Sequence, residues 1–247
     1  MIWKIKWVLV FFVLPFLVNL FGKDEIIQIS PDLELRKLTA HAYLYTAYFD
    51  LDKTPHYPAN GLVYLDGDKA YIIDTPWRDR ETQELTDWVS KNFKVTILGF
   101  IVTHWHQDCM GGLVTVHKSG IHSYALDKTR EIAKAKNLPL PEITFSDSLV
   151  LYLNGKTLIC KYLGAGHTVD NIIVWLPAEK ILFGGCLVKA LTSKGLGNIN
   201  DAVLADWPIT LDKVLRSYPE SKIVIPGHGE VGNLSLIQHT ISLFKPN

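Results

Sequence analysis

The sequence predicts an α/β (α+β) protein built as a four-layer αββα sandwich of two similar halves. Two observations carry this. Each half runs from hairpin-forming strands into strand–helix alternation, and no Pro-, Gly- or Ser-rich linker separates them. Apolar runs such as Ile97 to Val102 and Ile172 to Leu176 read as buried strands, which need cover on both faces. The composition, 48% apolar and 20% charged, agrees with one well-cored domain of this length.

The elements follow in order. Lys4 and Lys6 precede an apolar run from Trp7 to Leu20, a basic-then-apolar pattern that reads as a secretory signal peptide over residues 1–22. An uncleaved anchor is the alternative. The domain proper is then 23–247. Ile26 to Ile29 and Leu35 to Tyr48 read as strands, and Asp50 to Asn60, with two prolines, as a loop. Leu62 to Leu65 and Ala70 to Asp74 flank the hairpin signal Asp66-Gly67. A polar helix spans about Arg80 to Asn92, and Val95 to Val102 is a strand. Next come a helix from about Gly111, a strand around His122 to Ala125 and a helix from Lys128 to Lys136. In the second half Leu149 to Leu153 and Thr157 to Leu163 flank Asn154-Gly155. Strands at Ile172 to Leu176 and Ile181 to Phe183 follow. Asp206 is the expected N-cap of a helix that carries Pro208 inside its start and runs to about Arg216. A strand from Lys222 to Ile225 and a last helix ending near Phe244 complete the chain.

The chemistry concentrates at strand ends. His104, His106 and Asp108 alternate along Thr103 to Gly112, so their side chains can converge on one side, as metal ligands do. His167 lies in Gly164-Ala165-Gly166-His167, Cys186 in Gly184-Gly185-Cys186, and His228 in Pro226-Gly227-His228-Gly229. A single turn histidine would mean little, but the same strand–glycine–ligand setting repeated three times points to one assembled site. The 25 basic and 25 acidic residues balance, and removing residues 1–22 takes two lysines and no acid, leaving −2. Nothing there attracts a nucleic-acid backbone. Three cysteines cannot all pair. Cys160 reads as a small buried side chain.

With these motifs assembled, the chain resembles the subclass B1 metallo-β-lactamases. The matching stretches are HWHQD at 104–108, GAGHTVDN at 164–171, GGCLVK at 184–189, GLGNINDA at 195–202 and PGHG at 226–229. The resemblance implies the metallo-β-lactamase fold and two Zn2+ per chain. His104, His106 and His167 would hold one ion, and Asp108, Cys186 and His228 the other. It implies hydrolysis of the β-lactam amide of penicillins, cephalosporins and carbapenems by a metal-bound hydroxide, and so antibiotic resistance. Asp108 would orient the hydroxide, Lys189 would clamp the substrate carboxylate, and Asn198 would stand near the lactam carbonyl. Asp74 would brace the metal loops from behind, and the loop at 50–60 would be a flap, with Tyr57 and Pro58 as its apolar contacts. The protein would be a periplasmic monomer whose partner is the small-molecule β-lactam, free of the membrane once the signal is cut. Thioesterases and lactonases of the same superfold are the alternative. They typically carry His after the motif Asp and a bridging Asp, where this chain has Cys109 and Cys186. Many B1 relatives carry Arg at the position of Cys109, whose thiol is either oxidation-sensitive or inertly packed.

Overall fold

The structure, a computed structural model, describes residues 26–244, and the leader read over residues 1–22 lies outside the described residues. The strands β1 (Ile26–Ser30), β2 (Leu33–Lys37), β3 (Ala42–Leu51), β4 (Thr54–Asp66) and β5 (Lys69–Ile73) form an antiparallel run. After helix α1 (Asp79–Phe93), strand β6 (Thr96–Ile101) joins the sheet parallel to β5. Two short helices follow, α2 (Gln107–Met110) and α3 (Leu113–Lys118). Strand β7 (His122–Leu126), helix α4 (Asp127–Ala135) and strand β8 (Ile143–Phe145) complete an eight-stranded sheet in chain order.

The second sheet contains β9 (Ser148–Leu153), β10 (Lys156–Lys161), β11 (Ile173–Leu176), β12 (Ile181–Gly185) and, past helix α5 (Trp207–Ser217), β13 (Ile223–Pro226). Its order is β13-β12-β11-β10-β9, with only β12 and β13 parallel. Helix α6 (Ser235–Ser242) closes the described chain.

Strand alternation sorts side chains into three apolar layers. Leu62, Tyr64, Ile73 and Ile101 meet Leu158, Val174, Leu176 and Phe183 between the sheets. Their neighbours Val63, Ile72 and Phe100 turn outward beneath Leu85 and Val89 of α1 and Leu113 and Val116 of α3. On the far side Ile173, Trp175 and Leu182 pack under Leu211 and Val214 of α5 and Leu236 and Ile237 of α6. The four-layer expectation therefore holds. Its physical reason is that strands covered on both faces carry apolar residues at consecutive positions.

Four local expectations change. The stretch from Leu35 to Tyr48 is two strands, because the Thr39 hydroxyl accepts the amides of His41 and Ala42 and makes a turn without Gly or Pro. Residues 50–60 are no loop but the far end of the β3–β4 hairpin. Pro55 and Pro58 are tolerated because β5 pairs only with Leu62 to Asp66, leaving this part of β4 with one neighbour. Strand β8 is too short for any periodicity to announce it. Asp206 makes no side-chain cap to α5, and instead its carbonyl accepts the Thr210 amide at 2.8 Å.

Phe183, fully buried between the sheets, tests the layer assignment. Phe183→Ala should cost about 3–5 kcal/mol, read as a lower denaturant midpoint at unchanged slope.

Candidate metal centre

The seam between the halves gathers every residue singled out at a strand end. The first sheet delivers His104, His106 and Asp108 just after β6, and β10, β12 and β13 of the second lead into His167, Cys186 and His228. Asp74, in the left-handed region at the end of β5 (φ 62°), braces the first of these loops. Its carboxylate accepts the Thr103 amide at 2.7 Å and the Thr103 hydroxyl at 2.8 Å. This is the supporting position expected of it. Burial raises the Asp74 carboxyl to about 7, against the opposing pull of His104 and the Thr103 bonds.

Two glycines make the approach possible. A Cβ at Gly111 would lie 2.1 Å from the Trp77 carbonyl, and one at Gly227 would lie 2.4 Å from Cys186 Sγ. Asn60 pins the Gly227 loop from the other sheet. Its side-chain amide donates to the carbonyls of Pro226 (3.0 Å) and Gly229 (2.7 Å), and its backbone amide to Gly227 (2.8 Å).

Two donor sets result. His104, His106 and His167 bring one nitrogen each to within 4.8 Å of the others. His106 Nδ1 faces His167 Nε2 at 3.1 Å. Cys186 Sγ lies 3.3 Å from Asp108 Oδ2 and 3.3 Å from His228 Nε2, which is itself 3.2 Å from Asp108 Oδ2.

Neighbouring acceptors fix which ring nitrogens are bare. Asp201 Oδ2 accepts His106 Nε2–H at 3.0 Å, and the Pro58 carbonyl accepts His228 Nδ1–H at 2.6 Å. His106 Nδ1 and His228 Nε2 are thereby left as ligand lone pairs. Buried His104 Nε2 has no hydrogen-bond partner at all. An orphaned ring nitrogen, bare imidazoles and a thiolate–carboxylate pair fit a borderline-soft cation such as zinc.

The protonation of the site follows from its charges. Burial lowers the His106 and His167 imidazoles, and the neighbouring His104 adds to that. Burial also works against protonating His104 and His228. The anions Cys186 and Asp108 outweigh it, holding His104 at about 9 and His228 well above its ordinary value. Cys186 is pushed well below the usual thiol range, mainly by its contact with Cys109 and, against burial, by His228. The cluster thus holds protons where a metal would hold positive charge.

These donors open on a cavity of about 460 Å³. Leu51, Tyr57 and Trp77 form an apolar side, and Lys189 and Asn198 reach it from the second half. Lys189 is buried, with Nζ 5.3 Å from the Trp207 ring centre, and burial lowers its pKa despite Cys186 and Asp108. Asn198 is exposed, its side-chain oxygen accepting the Asn200 amide at 3.2 Å. Trp105 and Gln107, set between ligands, turn toward Leu138 and Pro139 in a separate cleft, although Gln107 also reaches the rim of the main cavity.

Sequence reasoning missed three contributors. Asp201, Asn60 and the buried Asp170, which accepts the Trp105 amide (3.0 Å) and the Thr129 hydroxyl (2.7 Å), hold the donor-bearing loops in place. Asp201 and Asp170 stood inside motifs already noted. Asn60 gave no signal, because its partners are carbonyls 166 and 169 residues away.

Fold and centre together define a metal-dependent hydrolase of αββα architecture, and the comparisons agree. The Metallo-beta-lactamase superfamily profile matches residues 55–228. The chain is 42% identical over 214 residues to the metallo-beta-lactamase type 2 of Bacteroides fragilis, covering 87% of this chain and 86% of that protein. It is 37% identical over 215 residues to the protein of the same name from Bacillus cereus, covering 86% and 83%. Among solved structures, a metallo-beta-lactamase from Pontibacter korlensis superposes with a TM-score of 0.84 at 37% identity, over 87% of this chain and all of that one. The DIM-1 metallo-beta-lactamase exposed to ceftazidime gives 0.83 at 38%, over 90% and 98%. This chain belongs to the metallo-β-lactamase superfamily.

Removing the acceptor that fixes the His106 tautomer should loosen the three-histidine set. Asp201→Ala is expected to weaken metal affinity roughly 10- to 100-fold, read by competition with a chromophoric chelator.

Proposed function

We propose that this protein hydrolyses the amide bond of β-lactam antibiotics and does so with two zinc ions. One ion is held by His104, His106 and His167 and the other by Asp108, Cys186 and His228. The observation that carries the proposal is the opening of both donor sets, with Lys189 and Asn198, onto a single cavity. The sets differ as a division of labour requires. Three neutral imidazoles leave a coordination position open, whereas thiolate and carboxylate bring two negative charges to the second set. Zinc bound there supplies Lewis acidity and lowers the pKa of coordinated water toward neutrality.

The chain's own groups do the rest. Lys189, buried with its Nζ against the Trp207 ring, takes the carboxylate that β-lactams carry beside the ring. The Asn198 amide donates toward the lactam carbonyl, where a hydrogen-bond donor stabilises developing oxyanion charge. Asp108 orients the attacking water with its carboxylate. Tyr57, Trp77 and the tip of the β3–β4 hairpin cover the apolar side of the substrate and keep bulk water out. The lysine-led apolar run at 1–22 supports export to the periplasm, where a monomer of this kind would meet its substrate. No helix among the described residues is long and apolar enough to cross a membrane.

The test is hydrolysis of a carbapenem and a cephalosporin by purified protein, before and after chelation and with zinc restored. Activity should vanish on chelation and return with zinc. A folded, zinc-loaded protein that left both drugs intact would overturn the proposal in favour of thioesters or lactones. Lys189→Ala should raise KM roughly 10- to 100-fold with a smaller effect on kcat, the loss of a charge-assisted bond of about 1.5–3 kcal/mol.

A further inference from the structure

Cys109, in the histidine stretch, is a potential metal ligand that this reaction leaves without a task. It follows Asp108 on α2 and is buried beneath the centre. Its Sγ lies 3.3 Å from His104 Nδ1 and 3.6 Å from the Thr103 hydroxyl. More tellingly, donor atoms of His104, Asp108, Cys109 and Cys186 all fall within 4.8 Å of one another, a second grouping that overlaps both three-donor sets. A tetrahedral ion with bonds of about 2.0–2.3 Å holds its donors about 3.3–3.8 Å apart. The quartet therefore needs shifts of only about 1 Å to close on one ion.

We propose that Cys109 and Cys186, with Asp108 and His104, form a two-thiolate site for thiophilic cations of the cadmium or copper(I) class. Two soft sulfur donors prefer such ions over zinc, whereas the imidazole-rich set above them does not. Because Cys186, Asp108 and His104 also serve the zinc sets, a soft cation seated here competes with the zinc pair. The third thiol supplies an internal control. Cys160 lies between the sheets among Leu158, Val174 and Phe183, and among the described residues it joins no cluster of potential metal ligands.

The experiment titrates the chelated full chain with cadmium under anaerobic conditions and follows the sulfur-to-metal charge-transfer band. The first cadmium bound should give the intensity of two thiolates. Cys109→Ser should lower that intensity about twofold and weaken cadmium affinity by about tenfold or more, while Cys160→Ser changes neither. A one-thiolate band in the unaltered protein, the same in Cys109→Ser, would overturn the site. Should Cys109→Ser fail to fold, cadmium NMR of the unaltered protein decides the matter, since the resonance position separates one coordinating sulfur from two. The result is independent of the substrate. A two-thiolate band in a protein inert toward β-lactams keeps this site and discards the hydrolysis, and the reverse pattern does the opposite.

Discussion

A thiolate, a carboxylate and an imidazole packed within 3.3 Å of one another beneath a protein surface are tolerable only against compensating positive charge. Much of the architecture serves that cluster. Four loops from two sheets must arrive together. Their backbones bend at glycines, their ring nitrogens are pinned by Asp201 and the Pro58 carbonyl, and their anions repel unless a cation or protons intervene. A metal bound there would relieve the repulsion and satisfy the orphaned His104 nitrogen at once.

The seam explains why neither half is a site by itself. The first sheet brings two histidines and the aspartate, with Asp74 beneath them. The second brings the remaining donor side chains and the two residues proposed to meet substrate. Asn60 spans the join, crossing from β4 to the carbonyls on either side of Gly227-His228. The interlayer core around Phe183 thus does more than hold the fold together, since sliding one sheet over the other would separate His228 from Asp108.

The sequence made much of this legible, for physical reasons that differ by feature. Apolar runs betrayed the doubly covered strands because burial on both faces leaves no polar alternation to disguise them. The convergence of the donor side chains was legible because strand-end glycines and alternating histidines mark where backbones can approach closely. Turn chemistry was less readable. Thr39 made a turn that no Gly or Pro announced, and Pro55 and Pro58 read as loop although one-sided pairing lets a strand keep them. Asp206 had the right residue type for a cap and did not make one. Asn60 and Asp201 act only through partners distant in the chain, 95 residues in the case of Asp201 and His106. Asp201 at least stood inside the motif at 195–202, whereas nothing local could mark Asn60.

The most direct measurement is the thermal unfolding midpoint of chelated protein as zinc is added back. If the buried donor cluster governs the structure, the midpoint rises steeply until two equivalents of zinc are bound and only logarithmically with free zinc beyond that. Each ion present at a thousand times its Kd contributes about 4 kcal/mol to the folded state. A midpoint indifferent to chelation and to zinc would contradict the account, because the loops would then hold their donors together without a cation.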